Sequence, residues 1–75
     1  MPFIHYRSYA GKDLETKQKV AKAIVAAASE IWGAPESAFT VVFEDVDKEL
    51  WETEVKQAII EPLRDKIVME SGELI

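Results

Sequence analysis

Two strand-like segments on either side of one long amphipathic segment constrain the fold of this chain more than any other feature. Residues Phe3–Tyr9 and residues 38–44 are rich in aromatic and β-branched side chains and alternate with a period of two. Between them, apolar residues recur at spacings of three and four, which predicts a helix over about Leu14–Trp32. A strand, a crossover helix and a second strand favour a right-handed β-α-β unit with parallel strands.

Both ends of the predicted helix carry residues that start and stop helices. Asp13, which follows an Ala10-Gly11-Lys12 turn, is expected to be the N-cap. Gly33 stands where a left-handed C-cap is needed, and Pro35 prevents the helix from resuming. The boundaries of the helix are therefore well defined.

The rest of the chain reads as an interrupted helical segment. Asp47 is expected to cap it, and Pro62 breaks it because proline removes a helical donor. Leu63 and Ile67 continue the apolar side as a short second helix, and residues 70–75 form a polar tail. The apolar positions of the first part are Leu50, Trp51, Val55, Ala58 and Ile59.

The chain is short for a domain that must be stable alone. It has 75 residues, no cysteine and a single histidine, so neither a disulfide framework nor a thiolate zinc site can stabilise it. Its hydrophobic content is 48%, and a two-stranded sheet is not stable by itself in water. We therefore expect one α+β domain over residues 1–75, a β-α-β unit with parallel strands plus a C-terminal helical segment, whose sheet is extended across a homodimer.

Charge is distributed unevenly along the chain. The net charge of -5 argues against nucleic acid as a partner, and no apolar span indicates a membrane partner or a targeting segment, so a cytoplasmic location is expected. The first 29 residues nevertheless carry five basic and two acidic side chains, which would attract small anions. The helix lysines of this part, Lys17, Lys19 and Lys22, are interpreted as a solvated face.

Pro2 is the candidate for chemistry. Removal of Met1 would expose a secondary amine, and an apolar pocket beside a cation would disfavour its charged form. A base that titrates near working pH is suited to proton transfer. The alternative is that Pro2 only leads into the first strand.

The combination of these features resembles the 4-oxalocrotonate tautomerase superfamily. The resemblance rests on Pro2 before a β-α-β unit, the Gly11-Lys12 turn, the Gly33-Ala34-Pro35 helix end and the following strand. The later pattern, Trp51 followed by Ile60-Glu61-Pro62-Leu63, is similar to the short bacterial phenylpyruvate-type tautomerases. The resemblance implies a cofactor-independent keto-enol tautomerase that needs no metal and acts on a small 2-oxo acid.

The resemblance also implies roles for individual residues. Pro2 matches the catalytic base, Lys12 the turn arginine that holds the substrate, and Trp51 the aromatic residue that lines the pocket. Thr40 stands where the founding enzyme has a second arginine, so a substrate with one carboxylate, such as an arylpyruvate enol, is favoured. Arg7 is a candidate to replace that arginine, and Tyr9 and Phe3 to exclude water.

Ordinary explanations stay open for several of these residues. Lys12 can be a turn lysine, Trp51 and Tyr9 can be packing residues, and His5 is assigned a structural or interface role. Alternative functions are a proline-dependent hydratase, dehalogenase or decarboxylase, with Glu52 as its only additional candidate, and a non-catalytic oligomeric module. A helical tail in place of a hairpin favours a dimer, with a hexamer as second choice.

Overall fold

The predicted β-α-β unit is confirmed by a computed structural model that describes residues 1–75. Strand β1 (Phe3–Tyr9) and strand β2 (Thr40–Val46) are parallel neighbours, and helix α1 (Leu14–Trp32) connects them. Their register places Phe3 opposite Thr40 and Tyr9 opposite Val46. Because the connection is a crossover, the last turn of α1 returns to the end of the sheet at which both strands begin.

The caps of α1 are the ones that the sequence predicts. The Asp13 side chain accepts a hydrogen bond from the Thr16 backbone N–H at 2.9 Å. Hydrogen bonds from the Thr16 side chain and backbone hold the pKa of the Asp13 carboxyl below its usual value. At the other end Gly33 is left-handed, with a φ of 86°, and its N–H donates to the Ser29 carbonyl at 3.0 Å.

The start of the second strand lies two residues later than the sequence predicts. A 3-10 turn over Glu36–Ala38 follows Pro35, so these residues do not join the sheet. The parallel partner decides where β2 begins, because the Thr40 N–H donates to the Pro2 carbonyl at 3.2 Å. The predicted range 38–44 therefore becomes Thr40–Val46.

The two faces of the sheet differ in what covers them. On the face toward α1, the Tyr6 and Phe43 rings pack with centroids 4.6 Å apart. On the opposite face, the Tyr9 and Trp51 rings meet edge to face at 4.9 Å. This opposite face, which α1 does not cover, is called the open face. It also carries the side chains of Phe3, His5, Arg7, Thr40, Val42 and Glu44.

The C-terminal region is helical, but not as one capped α-helix. A 3-10 turn over Lys48–Leu50 leads into a π-helix over Glu52–Ile60, and a second 3-10 turn covers Arg64–Lys66. Asp47 stands at the N-cap position of the first 3-10 turn, as predicted, but its side chain makes no capping bond. Its carbonyl accepts the Leu50 N–H at 2.9 Å instead.

The last residues form a hairpin rather than the expected polar tail. Strands β3 (Met69–Glu70) and β4 (Glu73–Leu74) pair antiparallel across Ser71 and Gly72, whose φ values are 52° and 80°. Positive φ at both central residues is typical of a tight hairpin turn. The argument that a helix without a hairpin favours a dimer is therefore wrong, because this chain has both.

Little of the chain is buried within one protomer. Only Val46 and Val55 are buried, at 6% and 5% exposure. The accessible surface is 6055 Å², whereas a folded monomer of this mass exposes about 4,700 Å², which leaves an excess of roughly 1,400 Å². None of the helices is long and apolar enough to cross a lipid bilayer.

Candidate active site

Pro2 lies in an apolar cavity at the end of the sheet where both strands begin. This Pro2 cavity has a volume of about 300 Å³ and lies on the face that α1 covers. It is lined by Pro2, Ile4, Ala28, Ile31, Trp32 and Phe39. None of these side chains carries a charge, so the cavity would favour the neutral form of a proline amine.

Lys12 lies in a second cavity at the other end of the sheet, where both strands finish. This Lys12 cavity also has a volume of about 300 Å³, and it mixes apolar rings with hydroxyl groups and two lysines. Its lining residues are Tyr6, Ser8, Tyr9, Lys12, Thr16, Lys17, Val20 and Phe43. Such a mixture is suited to an anionic organic ligand.

Pro2 and Lys12 do not meet within one protomer. Strand β1 has seven residues, so its ends are roughly 20 Å apart at about 3.3 Å per residue. The structure therefore separates the candidate base from the candidate cation.

Lys17 belongs to the Lys12 cavity, although the sequence interpretation placed it on a solvated face. Its side chain is only 20% exposed, and its Nζ lies 2.8 Å from Asp45 Oδ1. The signal was its spacing, because Lys17 precedes Val20, Ala21 and Ile24 by three, four and seven residues and so shares their inward face. Lys19, by contrast, is exposed and pairs with Glu15.

Arg7 lies on the open face of the sheet and lines neither cavity. Its guanidinium is 3.5 Å from Glu44 Oε1 and its Nε donates to His5 Nε2 at 3.4 Å. His5 also contacts Glu44. Within this His5–Arg7–Glu44 cluster, Arg7 is therefore paired with a carboxylate of its own chain, and His5 contacts the same carboxylate.

The remaining candidates differ in their relation to the two cavities. Tyr9 lines the Lys12 cavity and packs against Trp51, which lines neither cavity. Thr40 contacts Pro2 through its backbone N–H. Glu52 stands at the start of the π-helix and pairs with Lys56 at 3.6 Å, away from both cavities.

Trp32 and Phe39 are the aromatic neighbours of Pro2 that the sequence interpretation missed. The sequence predicts Trp32 only as an apolar residue of α1, and it predicts Trp51 as the aromatic residue that lines the pocket. The signal lies in the topology, because a parallel crossover returns the last helical turn to the start of β1. Trp32 is 78% exposed, unlike a core residue.

No group of three or more histidine, aspartate or glutamate side chains is arranged to hold a metal ion. The Pro2 cavity is apolar, and the Lys12 cavity holds ammonium and hydroxyl groups beside its aromatic rings. These groups are suited to moving protons and holding a carboxylate.

A parallel β-α-β unit with a proline directly before its first strand is the architecture expected of tautomerases. The family model described as tautomerase enzyme matches residues 2–61, and the chain belongs to this family. The resemblance to the 4-oxalocrotonate tautomerase superfamily is thus confirmed. The closer resemblance to phenylpyruvate-type members stays a prediction.

A relative with a stated function is a probable tautomerase from Lactococcus lactis subsp. lactis. It is 39% identical over 46 residues, which are 61% of this chain and 75% of the relative. No solved structure matches the chain. Family membership and this relative support tautomerase activity in general.

Proposed function

We propose that this protein is a cofactor-independent keto-enol tautomerase that acts on a small 2-oxo monocarboxylic acid, with the Pro2 amine as general base and acid. The observation that carries the proposal is the position of Pro2, in a chain of the tautomerase family, inside a cavity without charged side chains. Removal of Met1 is part of the proposal, because an amide nitrogen at Pro2 has no lone pair available for a proton.

The reaction moves one proton between oxygen and carbon. The neutral Pro2 nitrogen takes the proton of the enol hydroxyl at C2 and leaves the electrons of the O–H bond on the enolate oxygen. Those electrons then form the second bond of the C2 carbonyl while the electrons of the C2–C3 double bond take the proton of the prolinium at C3. The apolar lining favours the neutral amine that starts the reaction.

The cation that holds the carboxylate is expected to come from a second protomer. The Thr40 N–H donates to Pro2 and the Ala10 N–H to Val46, so even-numbered residues of β1 bond to β2. In a regular ladder the odd-numbered residues, from Phe3 to Tyr9, then present their N–H and C=O groups to the open edge. This edge can pair with another copy.

Antiparallel pairing of two β1 edges about a two-fold axis near Tyr6 would bring the Pro2 cavity of one copy to the Lys12 cavity of the other. The start of one β1 then lies beside the end of the other, so Pro2 approaches Lys12 of the partner subunit. The excess of roughly 1,400 Å² exceeds the about 800 Å² that each partner buries in a standard interface. The surface is therefore sufficient for a stable homodimer.

The ion pairs of each protomer favour a substrate with one carboxylate. Lys17 is paired with Asp45 and Arg7 with Glu44. Lys12 has no carboxylate partner within 4.0 Å, which leaves it free to bind an anion. Thr40 supplies no second charge.

The test is the ketonisation of phenylpyruvate enol, followed by ultraviolet absorbance. Pro2→Ala keeps a free amino terminus but loses the proline ring amine, and we expect its kcat to fall by about 100-fold or more. Lys12→Ala should mainly raise KM. Lys22→Ala, on the exposed side of α1, is the control and should match the wild type.

Intact mass gives the second arm of this test. Protein that retains Met1 should be inactive, and protein without it active. Equal rates for the wild type and Pro2→Ala, or full activity of Met1-retaining protein, would refute the role of Pro2.

A further inference from the structure

The reaction proposed for Pro2 fixes which part of the substrate lies beside it. The prolinium delivers its proton to C3, and C3 is also the atom that carries the substituent by which one 2-oxo acid differs from another. The side chains around Pro2 must therefore contact that substituent. This relationship rests on the proposed function of Pro2.

We infer that Trp32, together with Phe39, forms the specificity pocket for the C3 substituent and selects an uncharged apolar group. Both rings line the Pro2 cavity, and Ile4 and Ile31 complete its walls. The cavity volume of about 300 Å³ is at the lower end of the about 300–1,000 Å³ typical of small-molecule sites. It is suited to one side group rather than to a whole large ligand.

The exposure of the pocket residues supports a ligand at this position. Trp32 is 78% exposed and Ile31 is 87% exposed, although both stand at the end of the apolar stripe of α1. Large apolar side chains that remain exposed together around a candidate catalytic group are typical of a binding site. An aromatic or branched alkyl substituent would cover them and remove their apolar surface from water.

Electrostatics exclude a charged substituent from the same pocket. Within one chain no cation lines the Pro2 cavity, and Lys12 of the partner subunit is proposed to hold the C1 carboxylate of the substrate, so a second carboxylate there would lose its hydration without a partner. Helix α1 ends at Trp32 without a basic residue in its last turn. The partial negative charge of that helix end further disfavours an anion beside Pro2.

The first experiment compares two enols that differ in the C3 substituent. For phenylpyruvate enol, Trp32→Ala should lower kcat/KM by about tenfold or more, since apolar pocket contacts commonly discriminate by 10- to 200-fold. For oxaloacetate enol, which carries a carboxylate on C3, the loss should stay within about threefold. Trp32→Phe, which keeps an aromatic wall, is the matched control and should retain most of the preference.

An equal loss of kcat/KM for the two enols would overturn the inference, and so would no loss for either. Pro2→Ala should lower both rates together, which separates the role of the base from the role of the pocket. Phe39→Ala should shift the ratio of the two kcat/KM values in the same direction as Trp32→Ala.

The second experiment measures the pocket without catalysis. The chain has two tryptophans, so Trp51→Phe leaves Trp32 as the only one. 3-Phenylpropionate lacks the 2-oxo group and therefore cannot react. We expect it to change Trp32 fluorescence saturably, and we expect propionate to cause no change at the same concentrations. The response should persist in Pro2→Ala.

These outcomes distinguish the two proposals. A saturable Trp32 signal together with full activity of Pro2→Ala would refute the proposed base but keep the pocket. Absence of any saturable Trp32 signal with 3-phenylpropionate would overturn the specificity pocket even if Pro2 proves catalytic.

Discussion

Lys17 and Asp45 connect the first turns of α1 to the end of β2, with Nζ 2.8 Å from Oδ1. The pair places a lysine in the Lys12 cavity and neutralises it there. The cavity therefore contains two ammonium groups but presents the net charge of one. This balance supports the proposed preference for a substrate with one carboxylate.

Release of Lys17 from its partner should strengthen anion binding. Asp45→Asn removes the negative charge, and we expect the inhibition constant of propionate to fall by about threefold, within the range for a partly exposed charge. Competitive inhibition of the enol assay measures this change. Lys17→Ala should instead raise the constant by about the same factor, because it leaves the Asp45 carboxylate unpaired beside the cavity. An equal fall in both variants would contradict the prediction.

Gly33 ends α1 at a φ of 86°, where a side chain strains the backbone. A Cβ at this position would meet no atom within 4 Å. The cost of a substitution therefore comes from the backbone conformation and not from contact with neighbouring residues. We expect Gly33→Ala to cost about 1 kcal/mol, which corresponds to a Tm lower by about 4–8 °C in a domain of this size. Thermal unfolding followed by circular dichroism measures it.

Gly33→Asn is the matched variant for this prediction. Asparagine tolerates the left-handed region better than alanine, so its Tm should lie between those of the wild type and Gly33→Ala. A Tm for Gly33→Asn at or below that of Gly33→Ala would contradict this explanation of the helix end.

The open edge of β1 provides a test of the proposed dimer. The His5 N–H is expected to face that edge, so His5→Pro removes a donor between protomers without breaking the β1–β2 ladder. His5→Ala removes the same side chain and keeps the donor. We expect sedimentation equilibrium to give a dimer for the wild type and His5→Ala, and a dissociation constant higher by about tenfold or more for His5→Pro.

Concentration dependence gives an independent check of assembly. The Tm of a dimer whose protomers are unstable alone rises with protein concentration. A monomer mass at all concentrations, with a constant Tm, would refute the proposed assembly and with it the joined site.

The Asp13 cap predicts a pH dependence of stability. Its pKa is lowered in the folded state by the hydrogen bonds from Thr16, so folding favours the carboxylate. The stabilisation is present above the unfolded pKa of about 3.9 and is lost as pH falls through the lower folded value. Asp13→Asn caps without titrating, so its Tm should converge with that of the wild type between about pH 5 and pH 2. A difference in Tm that is constant over this range would contradict the prediction.

Local sequence signals determined most of the secondary structure. The Asp13 and Gly33 caps bound α1 where predicted, because a cap depends on a few neighbouring residues. The start of β2 and the hairpin at Ser71 and Gly72 were missed. The first is decided by the hydrogen bond of Thr40 to Pro2, which is distant in sequence, and the second by a short turn whose flanking strands have two residues each.

The sequence by itself determined the family and the β-α-β unit, and it suggested Pro2 as the candidate base, because these depend on residue identity and spacing along the chain. Only the tertiary structure decided which side chains share a cavity. The parallel crossover brings Trp32 and Phe39 to Pro2 and carries Lys12 to the far end of β1. A strand is stiff and extended, so residues at its two ends cannot approach one another without a second chain.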